Sequence, residues 1–257
     1  IYLNGNEHTI ELNEVADVCQ QADDMGAFYM GRDPSQRGNV VRHNVWHHNG
    51  FGQGGSSCVI YLDDGTCGQT ISGNVFYKNR SSVWINGGHG NTFENNVFVE
   101  SPASIGDGWD RDVWNPWVRS ELQALRLLRA VNVTVPPYST RYPNLAHVFD
   151  ETGTSEFGNV VVGNLSVRSG SLGGGRNRME GNVVTPADPG FVDMRSLDFR
   201  LRPGADILTT MPWLGHIPFA QMGLVRDAYR EVLPPRLPRA DAPPPRDPTV
   251  RRYSCSM

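Results

Sequence analysis

Two short segments carry carboxylates in a setting that suits glycosidic chemistry, VIYLDDG (59–65) and ASIGDGW (103–109). AFYMGRD (27–33) and VWINGGH (83–89) complete a set of four alignable strands. One parity reads Phe28 and Met30, Ile60 and Leu62, Val83 and Ile85, Ser104 and Gly106, and is assigned to the interior. Side chains alternate across a strand, so the other parity points outward. It reads Tyr29, Tyr61, Trp84 and Ile105, with Gly31, Asp63, Asn86 and Asp107 in the column beside them. Exposed aromatics next to polar groups mark a binding surface. Rings offer a platform to the apolar faces of sugars, and carboxylates accept from sugar hydroxyls. The plainer alternative is that loops bury the aromatics and water solvates the carboxylates.

Stacked strands lie about 4.8 Å apart, so Asp63 and Asp107, two rungs apart, have backbones about 10 Å apart. Carboxylates about 6.5–9.5 Å apart leave room for a water beyond a glycosidic bond, the inverting arrangement. One carboxyl then protonates the leaving oxygen and the other activates the water. Asp64 competes with Asp63 for the first place, because it sits where the strand turns and parity does not fix its direction. Arg32, Asp33, His89, Trp109 and Asp110 flank the column as substrate contacts, although an arginine beside a carboxylate, as Arg32 is, is more often half of a structural ion pair. The aspartates could also hold Ca²⁺, which takes about six to eight oxygens. No calcium-loop motif is present, and no metal is assigned. His43, His47 and His48 read as turn residues without metal-ligand spacing.

The elements that must position these groups repeat around an asparagine: HTIELNEV, NVVRHNVW, QTISGNVF, NTFENNVF, NVVVGNLS and MEGNVV. Asn13, Asn44, Asn74, Asn96, Asn164 and Asn182 would lie over one another at one bend, each amide bonded to its neighbours. Asn74 to Asn96 is 22 residues and Asn164 to Asn182 is 18, one coil of three short strands. Intervals of 31 and 30 residues are a coil plus a loop, and the 68 from Asn96 to Asn164 contain an excursion. Such a repeat buries its apolar face only by stacking, which predicts an all-β solenoid. A β-sandwich or propeller is the rival, but blades of about 40–50 residues are too long.

The solenoid domain spans 1–233, with an insertion at 111–157 and a C-terminal cap at about 203–225. Within the insertion, WVRSELQALRLLRAV predicts a helix through Leu122, Leu125, Leu128 and Val131. PPYSTRYPNL brings Tyr138, Arg141 and Tyr142, which can fold over the cleft or pack elsewhere. PWLGHIPFAQMGL reads as the cap covering the last apolar rung. Residues 234–257, rich in proline and arginine, read as an extended tail, solvated or open to a protein partner.

The 257 residues carry a net charge of −4, without the basic patch that nucleic acid requires. No apolar run reaches the roughly 18 residues of a membrane span. Glycine is abundant, at 28, as stacked turns require. Cys58 and Cys67 could close a small loop, while Cys19 and Cys255 have no evident partner. The triplets at Asn79, Asn132 and Asn164 fit N-glycosylation and point to a secreted, extracellular or periplasmic protein. The chain opens at Ile1 inside a repeat-like segment, which reads as a product lacking N-terminal coils.

YMGRDPSQRGNVVRHNVWHH, VIYLDDGTCGQTISGNVFYK, VWINGGHGNTFENNVFVE, PPYSTRYPNL and DPGFVDMRSLDFRLRPGAD resemble the right-handed parallel β-helix proteins grouped near glycoside hydrolase family 141. The resemblance runs in order through most of residues 25–225. It implies a right-handed, single-stranded β-helix and an inverting glycosidase, in a family with α-L-fucosidase and xylanase activities. Its catalytic aspartates map to Asp63 (or Asp64) and Asp107. Ser104 and Gly106 depart from the apolar residues expected before the second aspartate. A non-catalytic carbohydrate-binding or structural β-helix is the alternative. A polysaccharide lyase is disfavoured because Lys78, the only lysine, lies on the asparagine face.

Overall fold

The computed structural model describes residues 1–51, 56–149 and 158–234. The end of the predicted insertion (150–157) and nearly all of the predicted tail (235–257, with Cys255) lie outside the described residues. The structure is mostly parallel β-sheet with few helices, compatible with an all-β parallel solenoid. The first sheet runs Thr9–Glu11, Val40–Arg42, Thr70–Ser72, Thr92–Glu94, Val160–Val162 and Arg178–Glu180. The second runs Glu14–Ala16, Val45–His47, Val75–Tyr77, Val97–Val99, Leu165–Val167 and Val183–Thr185. The third holds Gly26–Gly31, Cys58–Asp63 and Val83–Ile85. Neighbours in these three sheets come from successive repeats.

Inward positions stack by type. Val41, Ile71, Phe93 and Val161 form one column, and Trp46, Phe76 and Phe98 another, with Phe76 and Phe98 stacked at 4.7 Å. Phe28, Ile60 and Val83 share the third sheet's interior with Met30, Leu62 and Ile85. Each fully buried side chain of this kind contributes about 1.5–3 kcal/mol.

The corners carry the polar load. Asn13, Asn44, Asn74, Asn96 and Asn164 each donate their backbone N–H and Nδ2 to the Oδ1 of the next asparagine in the expected ladder, at 2.9–3.1 Å. Two more ladders stand at the flanking bends: Asn39, Gln69, Asn91, Asn159 and Asn177, and Asn49, Asn79, Ser101 and Ser169. A bend takes backbone groups out of the sheet, and a buried donor left without an acceptor is costly. The side chains substitute for the lost partners. Asn79 and Asn164 are therefore buried ladder members, their Nδ2 groups given to the Trp46 and Phe93 carbonyls. This overturns their reading as glycan acceptors. Asn132 alone of the three is exposed, in a left-handed cap after a helix.

The C-terminal segment is not an end cap. The four inner second-sheet strands are buried on both faces, and their outward Val45, Val75, Tyr77, Val97, Val99, Leu165 and Val167 meet Phe191, Phe199, Met211, Leu214, Ile217 and Met222. The segment is a strap along the side of the stack, reaching the first repeat where Gly223 N–H bonds the Leu12 carbonyl at 2.9 Å. Apolar outward columns demanded that cover. The last repeat instead leaves Met179 and Val184 40% and 57% exposed. Leu214→Ala should cost about 2–5 kcal/mol in a urea unfolding curve. A cost near zero would show that the strap is not integral.

The insertion contains α1 (Arg111–Val118) and α2 (Ala124–Val131), so the predicted single helix is broken. Leu122 falls in the break, 93% exposed, while Ala124 and Leu128 face inward. Cys58 and Cys67 are buried free thiols, each directed at a nearby carbonyl, and do not close a loop.

Candidate functional site

The third sheet ends in a polar cluster. Asp63 closes its strand opposite Gly31 and points outward, yet is only 7% exposed. Its Oδ2 accepts from the Tyr29 hydroxyl at 2.7 Å, and its Oδ1 from Asn86 Nδ2 and the Asp64 N–H, both at 2.9 Å. Asp64 follows in a left-handed conformation, φ 33°, uncommon outside glycine. It accepts from Arg32 Nε and from Asn86 Nδ2, both at 3.0 Å. Burial, and then the neighbouring Asp63 charge, raise the Asp64 pKa above the ordinary aspartate value against the opposing pull of Arg32. Asn86 thus straddles the two carboxylates, giving its Nδ2 to both.

Asp107 lies two rungs along. Gly65 N–H bonds the Asn86 carbonyl, Trp109 N–H bonds the Gly87 carbonyl, and Gly108 rests against Gly87 and Gly88. The corner therefore stacks Asp64–Gly65, Asn86–Gly87 and Asp107–Gly108. Asp107 Oδ2 accepts from the Arg176 N–H at 2.9 Å and lies 3.4 Å from its Nε. Gly175, φ 67°, permits this approach, since a Cβ there would sit 2.2 Å from Asp107 Oδ2. Arg176 was not foreseen; only the preceding Gly173-Gly174-Gly175 run hinted at a close contact.

The aromatic column is real, but only its ends are open. Tyr61 and Trp84 stack at 4.8 Å with an angle of 4°, and Tyr29 meets Tyr61 edge-on at 5.2 Å. Tyr2, missed in the sequence, stacks on Tyr29 at 5.5 Å. Tyr61 is buried, contrary to its expected role as a platform, and its hydroxyl donates to Asp24 Oδ1 at 2.9 Å. Burial, with the neighbouring carboxylates, pushes the Tyr29 and Tyr61 phenols well up. Trp84 is 38% exposed. Ile105 does not continue the row: it turns into the core at 1% exposure while Ser104 faces solvent, reversing the expected parity. The small residues on either side let that rung rotate until its one large apolar side chain is buried.

The insertion forms a wall beside the carboxylates. Trp117 packs on Gly65 and Trp109 on Gly87, where a Cβ would come within 2.5 Å and 2.2 Å of the rings. His89, expected at the cleft, is buried beneath this wall with its ring 4.4 Å from Trp114. Burial, aided by Arg37 and Arg176, lowers its pKa to about 3. Asp110 is the N-cap of α1, accepting from Val113 N–H at 3.1 Å, rather than a substrate contact. Asp33 is used inside its own turn by Ser35 and Gln36. Tyr138, Arg141 and Tyr142 do not cover the carboxylates. Arg141 and Tyr142 bind Glu7, and Tyr138 reaches Asn6 at 3.4 Å.

His89 makes a pH prediction. Its native pKa lies below the unfolded value, so its contribution is complete above about pH 6.5 and is lost as pH falls towards 3. The stability–pH slope over that window should flatten in His89→Phe, read by thermal melts. An unchanged slope would assign the acid sensitivity elsewhere.

Among the described residues, no group of three or more His, Cys, Asp or Glu is arranged to hold a metal ion, and no helix is long and apolar enough to cross a membrane. No family model, curated protein or solved structure matches the chain.

Proposed function

We propose that the chain is a right-handed, single-stranded parallel β-helix, related to glycoside hydrolase family 141, that hydrolyses a complex polysaccharide with inversion. The observation that carries this reading is the corner stack: Asp64, its proton affinity raised by burial and by Asp63, lies two rungs from Asp107 beside an open tryptophan. Asp64 is the acid that gives its proton to the leaving oxygen. Asp107 is the base, and the two-rung gap admits the water. Asp63 is nearly enclosed by Tyr29 and Asn86, which suits it to hold its neighbour in place. Arg32 anchors Asp64, and Trp84 and Trp109 offer apolar faces to sugar rings. A secreted or periplasmic setting follows from such a substrate.

A second reading is favoured by one observation. Both Asp63 and Asp107 already hold protein donors, as in a carbohydrate-binding protein with a silent site. Reducing-sugar release from a polysaccharide panel separates the two. Release by wild type that is lost in both Asp64→Asn and Asp107→Asn supports the hydrolase. Glycan binding without release, in wild type as in the mutants, supports the second reading.

A further inference from the structure

The outward row of the third sheet stops abruptly. Tyr61 covers one face of the Trp84 indole. The other face looks towards the next rung, aligned by the Ser82 N–H bond to the Pro102 carbonyl at 2.7 Å. There Ile105 turns inward, and its own partner on the following rung is Gly173, which has no side chain. Gly174 beside it has open space where a Cβ would be. Two successive rungs therefore present only small residues, Ser104 on the first and Gly173 with Gly174 on the second, a notch about 10 Å long at the strand spacing. Its walls differ in kind: an open indole face at one end, and Asn86, Asp107 and Arg176 along the strand-end side, Asp107 with 34% of its side chain exposed.

We infer that this notch is a monosaccharide subsite, in which one pyranose ring of a bound glycan stacks on the free face of Trp84. Its hydroxyls meet the Asn86–Asp107–Arg176 edge. The occupant follows from the pairing of surfaces. An apolar peptide side chain would satisfy the indole but leave the polar edge facing it uncompensated, whereas a sugar ring presents an apolar face and a hydroxylated rim together. The inward turn of Ile105 and the missing side chain of Gly173 acquire a role, since an outward residue at either place would fill the notch. The subsite rests on the glycan reading above and adds to it a position, an orientation and a ring count of one.

Affinity electrophoresis and calorimetry with soluble xylan, arabinan, galactan and glucomannan test it on the full chain. With whichever polymer wild type binds, Trp84→Ala should weaken affinity about tenfold or more, the scale of one lost aromatic contact. Trp84→Phe, which keeps a stacking face, should remain within a few-fold of wild type. Ser104→Ile, placing a branched side chain at the exposed notch edge, should weaken binding as Trp84→Ala does. Trp84→Ala binding as tightly as wild type would overturn the subsite while leaving the glycan reading standing. Wild type binding none of the four would count against both. Should Ser104→Ile misfold, the contrast between alanine and phenylalanine at 84 still decides.

Discussion

Replacing Asn74 by alanine is expected to destabilise the protein by about 3–5 kcal/mol, among the largest effects of any single polar substitution. Asn74 is fully buried. Its Nδ2 donates to the Val41 and Ser72 carbonyls and to Asn96 Oδ1 at 2.8, 3.1 and 3.1 Å. Its Oδ1 accepts from Asn44 N–H and Asn44 Nδ2 at 3.1 and 3.0 Å, and from Trp46 Nε1 at 3.4 Å. Truncation strands donors and acceptors on both adjoining repeats where water does not reach, at about 1–3 kcal/mol for each group left unmatched. Asn13 is the internal control. It opens the same ladder on the partly exposed first repeat, and Asn13→Ala should cost about 1 kcal/mol or less. Urea unfolding of the two variants gives the comparison. Equal losses would mean that the ladder is not what holds successive repeats in register.

The second large effect is chemical. Asp64→Asn should lower kcat on a hydrolysed polysaccharide by roughly 10²–10⁴, the usual contribution of a positioned general acid. The acid must be protonated to act, so wild-type activity should decline as pH rises through the elevated Asp64 pKa. Asp63→Asn removes one cause of that elevation, the neighbouring negative charge. The remaining acid then loses its proton sooner, and the alkaline limb should move to lower pH. An alkaline limb unmoved by Asp63→Asn would show that the two carboxyls are not coupled. The same coupling acts on stability. A carboxyl whose native pKa is raised favours the fold at low pH and loses that advantage as pH climbs from the unfolded value through the native one.

The repeat and its asparagine ladder were legible because identical side chains recur in identical strings. The outward Tyr29, Tyr61 and Trp84 were legible because strand parity is strict. The two flanking ladders had a signal that went unused: Asn39, Gln69, Asn91, Asn159 and Asn177 each stand five residues before a ladder asparagine, and Asn49, Asn79, Ser101 and Ser169 five after one. Mixed residue types hid the period. The strap was misplaced because apolar strings such as VFV (97–99) read as strands without saying that both faces are buried. Continuous apolarity in a three-residue strand is itself the sign of an outer cover. Ile105 was assigned outward by extending a parity that glycine and serine do not enforce. Arg176 and Tyr2 reach the site from distant parts of the chain, a relation carried by stacking order rather than local pattern. The roles proposed for Asp63 and Asp64 rest on which hydroxyl and amide each meets, and no spacing rule encodes that.

The most direct measurement is the configuration of the first sugar released, followed by proton NMR before mutarotation. Under the roles proposed for Asp64 and Asp107, which place the attacking water between acid and base, the newly formed reducing end should carry the anomeric configuration opposite to that of the bond cleaved. Retention would require a nucleophile in contact with the anomeric carbon, and that result would contradict the acid–base pair on which the account rests.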